Sequence, residues 1–310
     1  MPIYGKCFAP TPCGNIVIMV IFQKTKVLQN NEDVFMQLKV VGVGPQKTGT
    51  TWLDRCLREH PQLCFPQGTK ETFFFDERFD KGWSWYWTHF RYCMNSQFCA
   101  EIGPTYFDVP EAAARLYRHN QNCRIIITLR DPASRSFSLY LHYKLYGELR
   151  CEFHEAIMHM PRIIESSRYR MHLGRWLEIF GKEHVLIILQ DDIAAFPGQV
   201  LKQVYNFIGI DNVPLPVLAE EHVNIASYTV FPSLSRFCNS MANFLRGRRL
   251  HSPVNFFKNL GLKRIYTSTS GVLPKLEPDI RRNLIEEFEP DIAYVEKLLG
   301  RPLTGWRRVK

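Results

Sequence analysis

The chain has 310 residues, of which 45% are hydrophobic and 22% charged, a composition typical of a globular protein with a sizeable core. Lysine and arginine outnumber aspartate and glutamate by 39 to 30. This excess favours a phosphorylated or polyanionic partner, although a merely basic, soluble surface would give the same balance.

The N-terminal region contains one apolar run, Ile16 to Phe22, which is far short of the ~20 residues that a membrane-spanning helix needs. It also lacks the flanks of a signal peptide. We therefore expect no transmembrane segment and a cytoplasmic location. Residues 1–37 are predicted to form an N-terminal arm.

Five continuous, β-branched apolar runs follow, and such runs are typical of strands that are covered on both faces. They span residues 38–44, 62–65, 97–103, 123–130 and 184–190. Helical patterns lie between them, at residues 50–59, 83–93, 110–120, 132–146 and 168–180. Because strands and helices alternate, the sequence predicts an α/β fold with a central parallel sheet.

The alternation stops after residue 210. Residues 211–271 form an irregular stretch with basic, turn-rich segments, and two short helices are predicted beyond it, each opened by a proline-containing turn at Pro278 or Pro290. No repeat or linker divides the chain, so we predict a single domain over residues 38–310.

The nine cysteines are scattered, without a C-x-x-C pair. This pattern favours buried free thiols in a reducing compartment, while Cys93 and Cys99 could close a small loop in an oxidising one. The histidines and cysteines show no metal-ligand spacing, and no metal site is predicted.

The turn after the first predicted strand, PQKTGTTWL, has the chemistry of an anion site. In a triphosphate-binding loop, G-x-x-x-x-G-K-[ST], the lysine follows the second glycine, whereas here Lys47 precedes Gly49. The backbone N–H groups of Thr48, Gly49, Thr50 and Thr51 would still converge at a helix start, where the dipole favours an anion. The alternative is a plain strand-to-helix turn with a solvated lysine.

This segment, Pro45 to Leu53, resembles the 5′-phosphosulfate loop of sulfotransferases that use 3′-phosphoadenosine 5′-phosphosulfate (PAPS). The resemblance implies a nucleotide-kinase-like three-layer sandwich, PAPS as co-substrate, and no metal. It makes Lys47 a catalytic as well as a donor-binding residue. The other donor-binding residues that it implies in this segment are Thr48, Gly49, Thr50, Thr51 and Trp52.

A second segment, Cys123 to Tyr143, resembles the 3′-phosphate site of the same family, which implies donor-binding roles for Arg130 and Ser138. Physical chemistry points the same way, because an arginine at a strand's carboxyl end and a serine two turns into the next helix can reach one crevice. Arg135 is expected nearby as a further cation. The alternative interpretation pairs Arg130 with Asp131 or another carboxylate.

The segment TKETFFFD resembles the K-E-x-x-F-F-D segment of glycosaminoglycan-type sulfotransferases. This implies Glu71 as the catalytic base, with Lys70 and Asp76 as acceptor-side residues. The neighbouring phenylalanines would partly desolvate Glu71 and raise its pKa. The alternatives are a solvated loop carboxylate at this position and His89 as the base; the tryptophans at 83, 85 and 87 are either core residues or platforms for a sugar.

Two positions depart from the glycan enzymes. Ile102 follows Glu101 where those enzymes commonly have a lysine, and residues 267–279 lack a K-G-R sequence, for which Lys263 and Arg264 could substitute. The acceptor is therefore predicted only as a carbohydrate or other hydroxylated molecule, not a nucleic acid. Its recognition is expected around Trp83 to Phe90 and Arg246 to Arg264.

Two other functions remain open at this point. A phosphate-transferring kinase of the same fold would need a carboxylate for Mg²⁺, which Asp191 or Asp192 could supply. A non-catalytic module that binds polyanions is suggested by the basic segments LRGRRLH and GLKRIY.

Overall fold

The computed structural model describes residues 37–94, 97–219, 228–229, 267–268 and 274–309. Its main sheet is parallel throughout and has the strand order β2-β3-β1-β4-β5. The strands are β1 Leu38–Gly42, β2 Leu63–Cys64, β3 Phe98–Ile102, β4 Arg124–Leu129 and β5 Val185–Leu189, and a separate antiparallel pair is formed by β6 Tyr228–Thr229 and β7 Thr267–Ser268.

Helices follow most of the strands. Within the described residues they are α1 Thr50–Arg58, α2 Gly82–Trp87, α3 Pro110–His119, α4 Pro132–Leu145, α5 Phe153–His159, α6 Arg162–Glu165, α7 Tyr169–Phe180, α8 Gln190–Ala195, α9 Pro197–Ile208 and α10 Pro278–Leu299. In this part of the chain, no helix has both the length and the apolar character of a membrane span.

The two faces of the sheet support two hydrophobic clusters, because successive strand residues point to opposite sides. Val40 and Ile126 face the cluster that contains α1 and α9, whereas Val41 and Ile125 face the cluster that contains α3, α4, α7 and α10. The predicted parallel sheet between two helical layers is therefore confirmed.

The C-terminal helix differs from the prediction of two short helices. Residues 278–299 form one helix, α10, with Pro290 inside it. A proline within a helix removes a hydrogen bond and costs roughly 3 kcal/mol. The buried stripe of Leu284, Phe288, Ile292 and Val295, which packs in the same cluster as α4 and α7, offsets that cost.

The sheet order creates a crevice at its carboxyl edge. The chain leaves central β1 towards β2 and β3 on one side and later crosses to β4 and β5 on the other. The loops after β1 and β4 therefore diverge, and such a point is where open α/β sheets bind ligands. The loop after β1 passes very close to the end of β4, since a Cβ at Gly44 would lie 2.3 Å from Thr128 Oγ1.

The cysteine prediction is wrong for one pair. Cys64, at the end of β2, forms a disulfide with Cys93, whereas Cys99 is a buried free thiol whose pKa burial raises to about 11. The spacing of six residues suggested Cys93 and Cys99, but the fold brings Cys93 to β2. Disulfides form in oxidising environments, so this pair departs from the buried free thiols predicted from the sequence.

Removal of this disulfide is expected to lower the free energy of unfolding by about 3–4 kcal/mol, because it closes a loop with a sequence separation of 29. Urea unfolding of Cys64→Ser/Cys93→Ser would measure the loss, with Cys151→Ser, a free cysteine, as the matched control. An unchanged urea midpoint in the double variant would contradict the expectation.

Candidate active site

The loop between β1 and α1 is held from within by Thr48. Its hydroxyl donates to the Pro45 carbonyl at 2.6 Å and lies 2.7 Å from Thr128 Oγ1, and its side chain is fully buried. The hydroxyl thus joins the loop to β4.

Backbone conformation sets the shape of this loop. Lys47 has φ 76° and Gly49 has φ 101°, both in the left-handed region. Glycine adopts this conformation freely, but for a lysine it is uncommon and costs of order 1–3 kcal/mol, and such strain clusters at functional sites. A side chain at position 49 would also crowd Ile193 of α8 at 3.3 Å.

Helix α1 begins directly after Gly49. Within the described residues no side chain caps this end, and no acidic residue lies in its first turn. The N–H groups of Thr50 and Thr51 have no intrahelical acceptor and together with the helix dipole favour an anion. Lys47 is half-buried and precedes this helix start by three residues, so the segment combines backbone donors with a cation.

Trp52 contributes to packing between α1 and a distant turn. Its side chain is buried, its indole Nε1 donates to the Ala219 carbonyl at 2.9 Å, and its backbone N–H donates to the Gly49 carbonyl at 3.0 Å. Both of its N–H groups are therefore used within the protein, and the donor-binding role of Trp52 stays a prediction. The indole instead ties α1 to the turn at Val217–Ala219.

Arg130 follows β4 at the same edge of the sheet. Its backbone carbonyl accepts from the Tyr169 hydroxyl at 2.8 Å, and burial lowers the pKa of its guanidinium. The sequence alternative, an ion pair with Asp131, is not found. Asp131 caps α4 through Ala133 N at 3.1 Å and pairs with Arg281 at 2.8 Å.

Two side chains of α4 were predicted to join Arg130. Ser138 is half-buried and its hydroxyl makes no hydrogen bond with any residue that the structure describes. Arg135, by contrast, is fully buried and donates to Ser167 and to the Ile163 carbonyl, on the side away from solvent. The expectation that Arg135 is a further cation of the site is therefore wrong.

The loop that carries Glu71 is anchored to α1. Arg58 forms an ion pair with buried Asp54 at 3.0 Å and donates to the carbonyls of Pro66 and Thr69 at 3.2 Å each. These contacts fix the chain two residues before Glu71. Helix α1 thus positions both the anion loop at its start and the predicted base near its end.

Glu101 anchors the same loop from the other side. This fully buried carboxylate accepts from Thr72 N at 2.8 Å, Thr72 Oγ1 at 2.7 Å, Tyr106 OH at 3.0 Å and Tyr86 OH at 2.8 Å. Sequence reasoning missed this role. The signal was a glutamate inside an apolar strand, since a buried carboxylate must be hydrogen-bonded.

Glu71 lies in a largely buried and charged environment. Its side chain is only 16% exposed, and Lys70 Nζ lies 3.2 Å from its Oε1. Burial raises the pKa of Glu71, Lys70 opposes the rise, and the negative charges of Asp54 and Asp76 add to it. The alternative of a solvated loop carboxylate is inconsistent with this burial.

Asp76 and Phe73 belong to the same loop as Glu71. Asp76 Oδ1 accepts from the Glu77 N–H at 2.7 Å, so its carboxylate stabilises the following turn. Phe73 has φ 57°, a second strained residue in the site, and the Arg78 guanidinium lies 5.2 Å from its ring centroid. The acceptor-side roles of Lys70 and Asp76 stay predictions.

The rival base, His89, is buried, with Nδ1 3.0 Å from the Tyr86 carbonyl oxygen. A base must reach the acceptor, so this burial disfavours it. The three tryptophans are half-buried and pack against the core; Trp83, for example, lies 5.0 Å from the Phe74 ring. This contact favours a core role over a sugar platform.

The carboxylates that a kinase would need are engaged elsewhere. Asp191 accepts from Trp306 Nε1 at 2.9 Å, and Asp192 pairs with Arg301. In the described ranges, no group of three or more His, Cys, Asp or Glu side chains is arranged to hold a metal ion. The basic segment 246–264, with its predicted acceptor rim and the possible substitutes Lys263 and Arg264, lies outside the described residues.

Comparison with known proteins agrees with this geometry. Residues 38–258 match the family model described as the sulfotransferase domain. A bifunctional heparan sulfate N-deacetylase/N-sulfotransferase 4 from Mus musculus is 31% identical over 87% of this chain, and a bifunctional heparan sulfate N-deacetylase/N-sulfotransferase 3 from Homo sapiens is 28% identical over 87%. The chain spans 31% of the length of each of these relatives.

A solved structure shares the fold. The crystal structure of a sulfotransferase from Alicyclobacillus acidocaldarius superimposes with a TM-score of 0.64 at 24% identity, covering 88% of this chain and 99% of that one. At this identity, the match supports the architecture alone.

Proposed function

Because this chain belongs to the sulfotransferase family, we propose that it transfers the sulfuryl group of PAPS to a hydroxyl or amine of an acceptor, with a carbohydrate as the favoured acceptor. The observation that carries the proposal is that the loop 43–49 after β1 and Arg130 after β4 lie at the ends of neighbouring strands, where both favour an anion. A donor with phosphate groups at both ends of one nucleoside fits this pair.

The proposed donor-binding roles follow from the position of these groups at the two strand ends and from the resemblance of their segments to the sulfotransferase family. The N–H groups of Thr48, Gly49, Thr50 and Thr51, together with the Lys47 ammonium, bind the 5′-phosphosulfate. Arg130 and Ser138 bind the 3′-phosphate from the β4 side. Lys47 also stabilises the negative charge that develops on the bridging oxygen when its bond to sulfur breaks.

The proposed acceptor chemistry centres on Glu71. As the acceptor oxygen or nitrogen forms its bond to sulfur, it loses a proton, and the Glu71 carboxylate accepts that proton. A raised pKa brings a carboxylate closer to the proton affinity that this role requires. Lys70, paired with Glu71, keeps the carboxylate ionised before the acceptor binds.

The alternative functions have less support. A kinase would need carboxylates available for Mg²⁺, whereas Asp191 accepts a hydrogen bond from Trp306 and Asp192 forms an ion pair with Arg301. A module that only binds polyanions would not need a largely buried glutamate with a raised pKa.

Adenosine 3′,5′-bisphosphate, the desulfated donor, is expected to raise the melting temperature more than ATP or 5′-AMP does, because only it reaches both anion sites and ligand binding stabilises the native state. At 100 times its dissociation constant, a ligand adds about 2.7 kcal/mol of stability. Thermal unfolding with each nucleotide at equal concentration would measure this. Equal shifts for all three would contradict the proposal.

For the acceptor, we propose a glycan of the heparan sulfate type. The two relatives named above are heparan sulfate N-sulfotransferases by name, and the Glu71 segment resembles that of glycosaminoglycan enzymes. Labelled PAPS would be offered to heparan sulfate with free amines, to the same polymer N-acetylated, to a phenol and to a lipid alcohol. Transfer only to the polymer with free amines would indicate N-sulfation, and transfer also to the N-acetylated polymer would indicate O-sulfation. Preference for the phenol would contradict the glycan proposal.

A further inference from the structure

Burial lowers the pKa of Arg130, and the negative charges of two carboxylates, those of Asp131 and Asp191, oppose that shift. Both are held by the C-terminal segment: Arg281 Nη2 donates to Asp131 Oδ2 at 2.8 Å, and Trp306 Nε1 donates to Asp191 Oδ2 at 2.9 Å. Among the residues that the structure describes, none forms a hydrogen bond or ion pair with the Arg130 guanidinium. The acidic neighbours of Arg130 are thus occupied by other donors.

Arg281 is fixed by three separate bonds. Besides Asp131, it donates to Ser134 Oγ at 3.0 Å and to the Arg308 carbonyl at 2.6 Å, and the residue is only 8% exposed. Arginine is seldom buried so deeply unless it is paired, because the charge loses its hydration. These bonds join α10 to the first turn of α4, which is directly after Arg130.

Removal of Arg281 would leave the Asp131 carboxylate buried and short of a cation. The nearest cation in sequence is Arg130, whose charge already interacts with Asp131. A carboxylate and a phosphate compete for the same fork of guanidinium donors. Asp131, once released, would therefore take donors that Arg130 otherwise offers to a phosphate.

We propose that Arg281 is a positioning residue for the donor's 3′-phosphate: it holds the Asp131 carboxylate, so that the guanidinium of Arg130 keeps its donors for the phosphate. This inference rests on the proposed function, since it assigns a support to the same 3′-phosphate site. It extends that site to α10, about 150 residues away in the sequence.

Calorimetric titration of the full chain with adenosine 3′,5′-bisphosphate and with 5′-AMP, which lacks the 3′-phosphate, would test it. Arg281→Met is expected to weaken the bisphosphate about tenfold and to leave 5′-AMP nearly unchanged. The matched control is Arg282→Met, because Arg282 is an exposed neighbour paired only with Asp279 among the described residues. It is expected to leave both affinities unchanged.

A second change separates positioning from general support of the fold. In Arg281→Met/Asp131→Asn, the released carboxylate at position 131 is absent, Asp191 is still held by Trp306, and asparagine still caps α4. Affinity for the bisphosphate should return to within about threefold of the original value. Equal losses for both nucleotides in Arg281→Met, no loss at all, or failure of Asp131→Asn to restore binding would each overturn the inference.

Folding of each variant would be checked by its thermal melt. If Arg281→Met does not fold, Arg281→Lys takes its place, since a lysine retains the charge but cannot hold Asp131, Ser134 and the Arg308 carbonyl together. A loss of about threefold, restricted to the bisphosphate and reversed by Asp131→Asn, is then expected. If the unchanged protein binds the two nucleotides equally well, the proposed function fails, and this inference fails with it. If the unchanged protein prefers the bisphosphate and the Arg281 variant keeps that preference, only this inference fails.

Discussion

Glu71→Gln is expected to lower kcat for sulfuryl transfer by roughly 10²–10⁴-fold, the range for loss of a general base, while the affinity for adenosine 3′,5′-bisphosphate stays nearly unchanged. The amide fills the same half-buried space beside Lys70 but cannot accept the acceptor's proton. Steady-state kinetics and nucleotide titration on the same preparation would separate the two effects.

The control for this variant is Glu77→Gln, an exposed glutamate in the same loop, which should retain full kcat. A pH profile gives a further check. Because burial raises the pKa of Glu71 and the base must be deprotonated, activity should fall on the acid side at a higher pH than for an ordinary glutamate. Full activity in Glu71→Gln would contradict its assignment as the base.

The substitution Lys47→Asn is expected to have the second large effect, a fall in kcat of about 10²–10³-fold. This is the range for loss of one group that stabilises the charge developing in the transition state. Asparagine is chosen because it tolerates the left-handed backbone that Lys47 adopts at φ 76°, so the loop should keep its shape. Nucleotide affinity should also fall, since the ammonium contacts the 5′-phosphosulfate in the proposed complex.

The comparison for Lys47→Asn is Lys39→Gln, a lysine in β1 away from the strand's carboxyl end, whose ammonium lies 5.0 Å from the Phe98 ring centroid. It should retain activity. If Lys47→Asn turned over at the original rate, the leaving oxygen would have to be stabilised without Lys47, and that part of the mechanism would be wrong.

Local sequence patterns predict the sheet because continuous β-branched runs are typical of strands buried on both faces. They predict the start of α4 equally well, since Pro132 follows the N-cap Asp131. The C-terminal helix was divided in error at Pro290, because its continuity depends on burial against α4 and α7 that no local pattern shows.

The site could be predicted only in part, for the same reason. Lys47, Arg130 and Glu71 stand in recognisable segments, but their surroundings come from distant parts of the chain. Asp131 is paired by Arg281, 150 positions later, which decides that Arg130 is not its partner. Arg135 lies about one helical turn from Ser138, but hydrogen bonds to Ile163 and Ser167 direct its side chain into the core.

The disulfide illustrates the same limit. Cys93 and Cys99 are close in sequence, whereas the residue that meets Cys93 is Cys64, in the edge strand β2. Cys64 lies opposite Cys99 in the register of β2 and β3, so the three cysteines are neighbours and the fold alone selects the pair.

The central claim is that one nucleotide is bound at both of its phosphate ends, and titration of Arg130→Ala with adenosine 3′,5′-bisphosphate and 5′-AMP tests it most directly. A lost charge-assisted hydrogen bond to the 3′-phosphate predicts roughly 10- to 100-fold weaker binding of the bisphosphate, with 5′-AMP unchanged. Equal affinities of the original protein and Arg130→Ala for the bisphosphate, or equal losses for both nucleotides, would contradict the account.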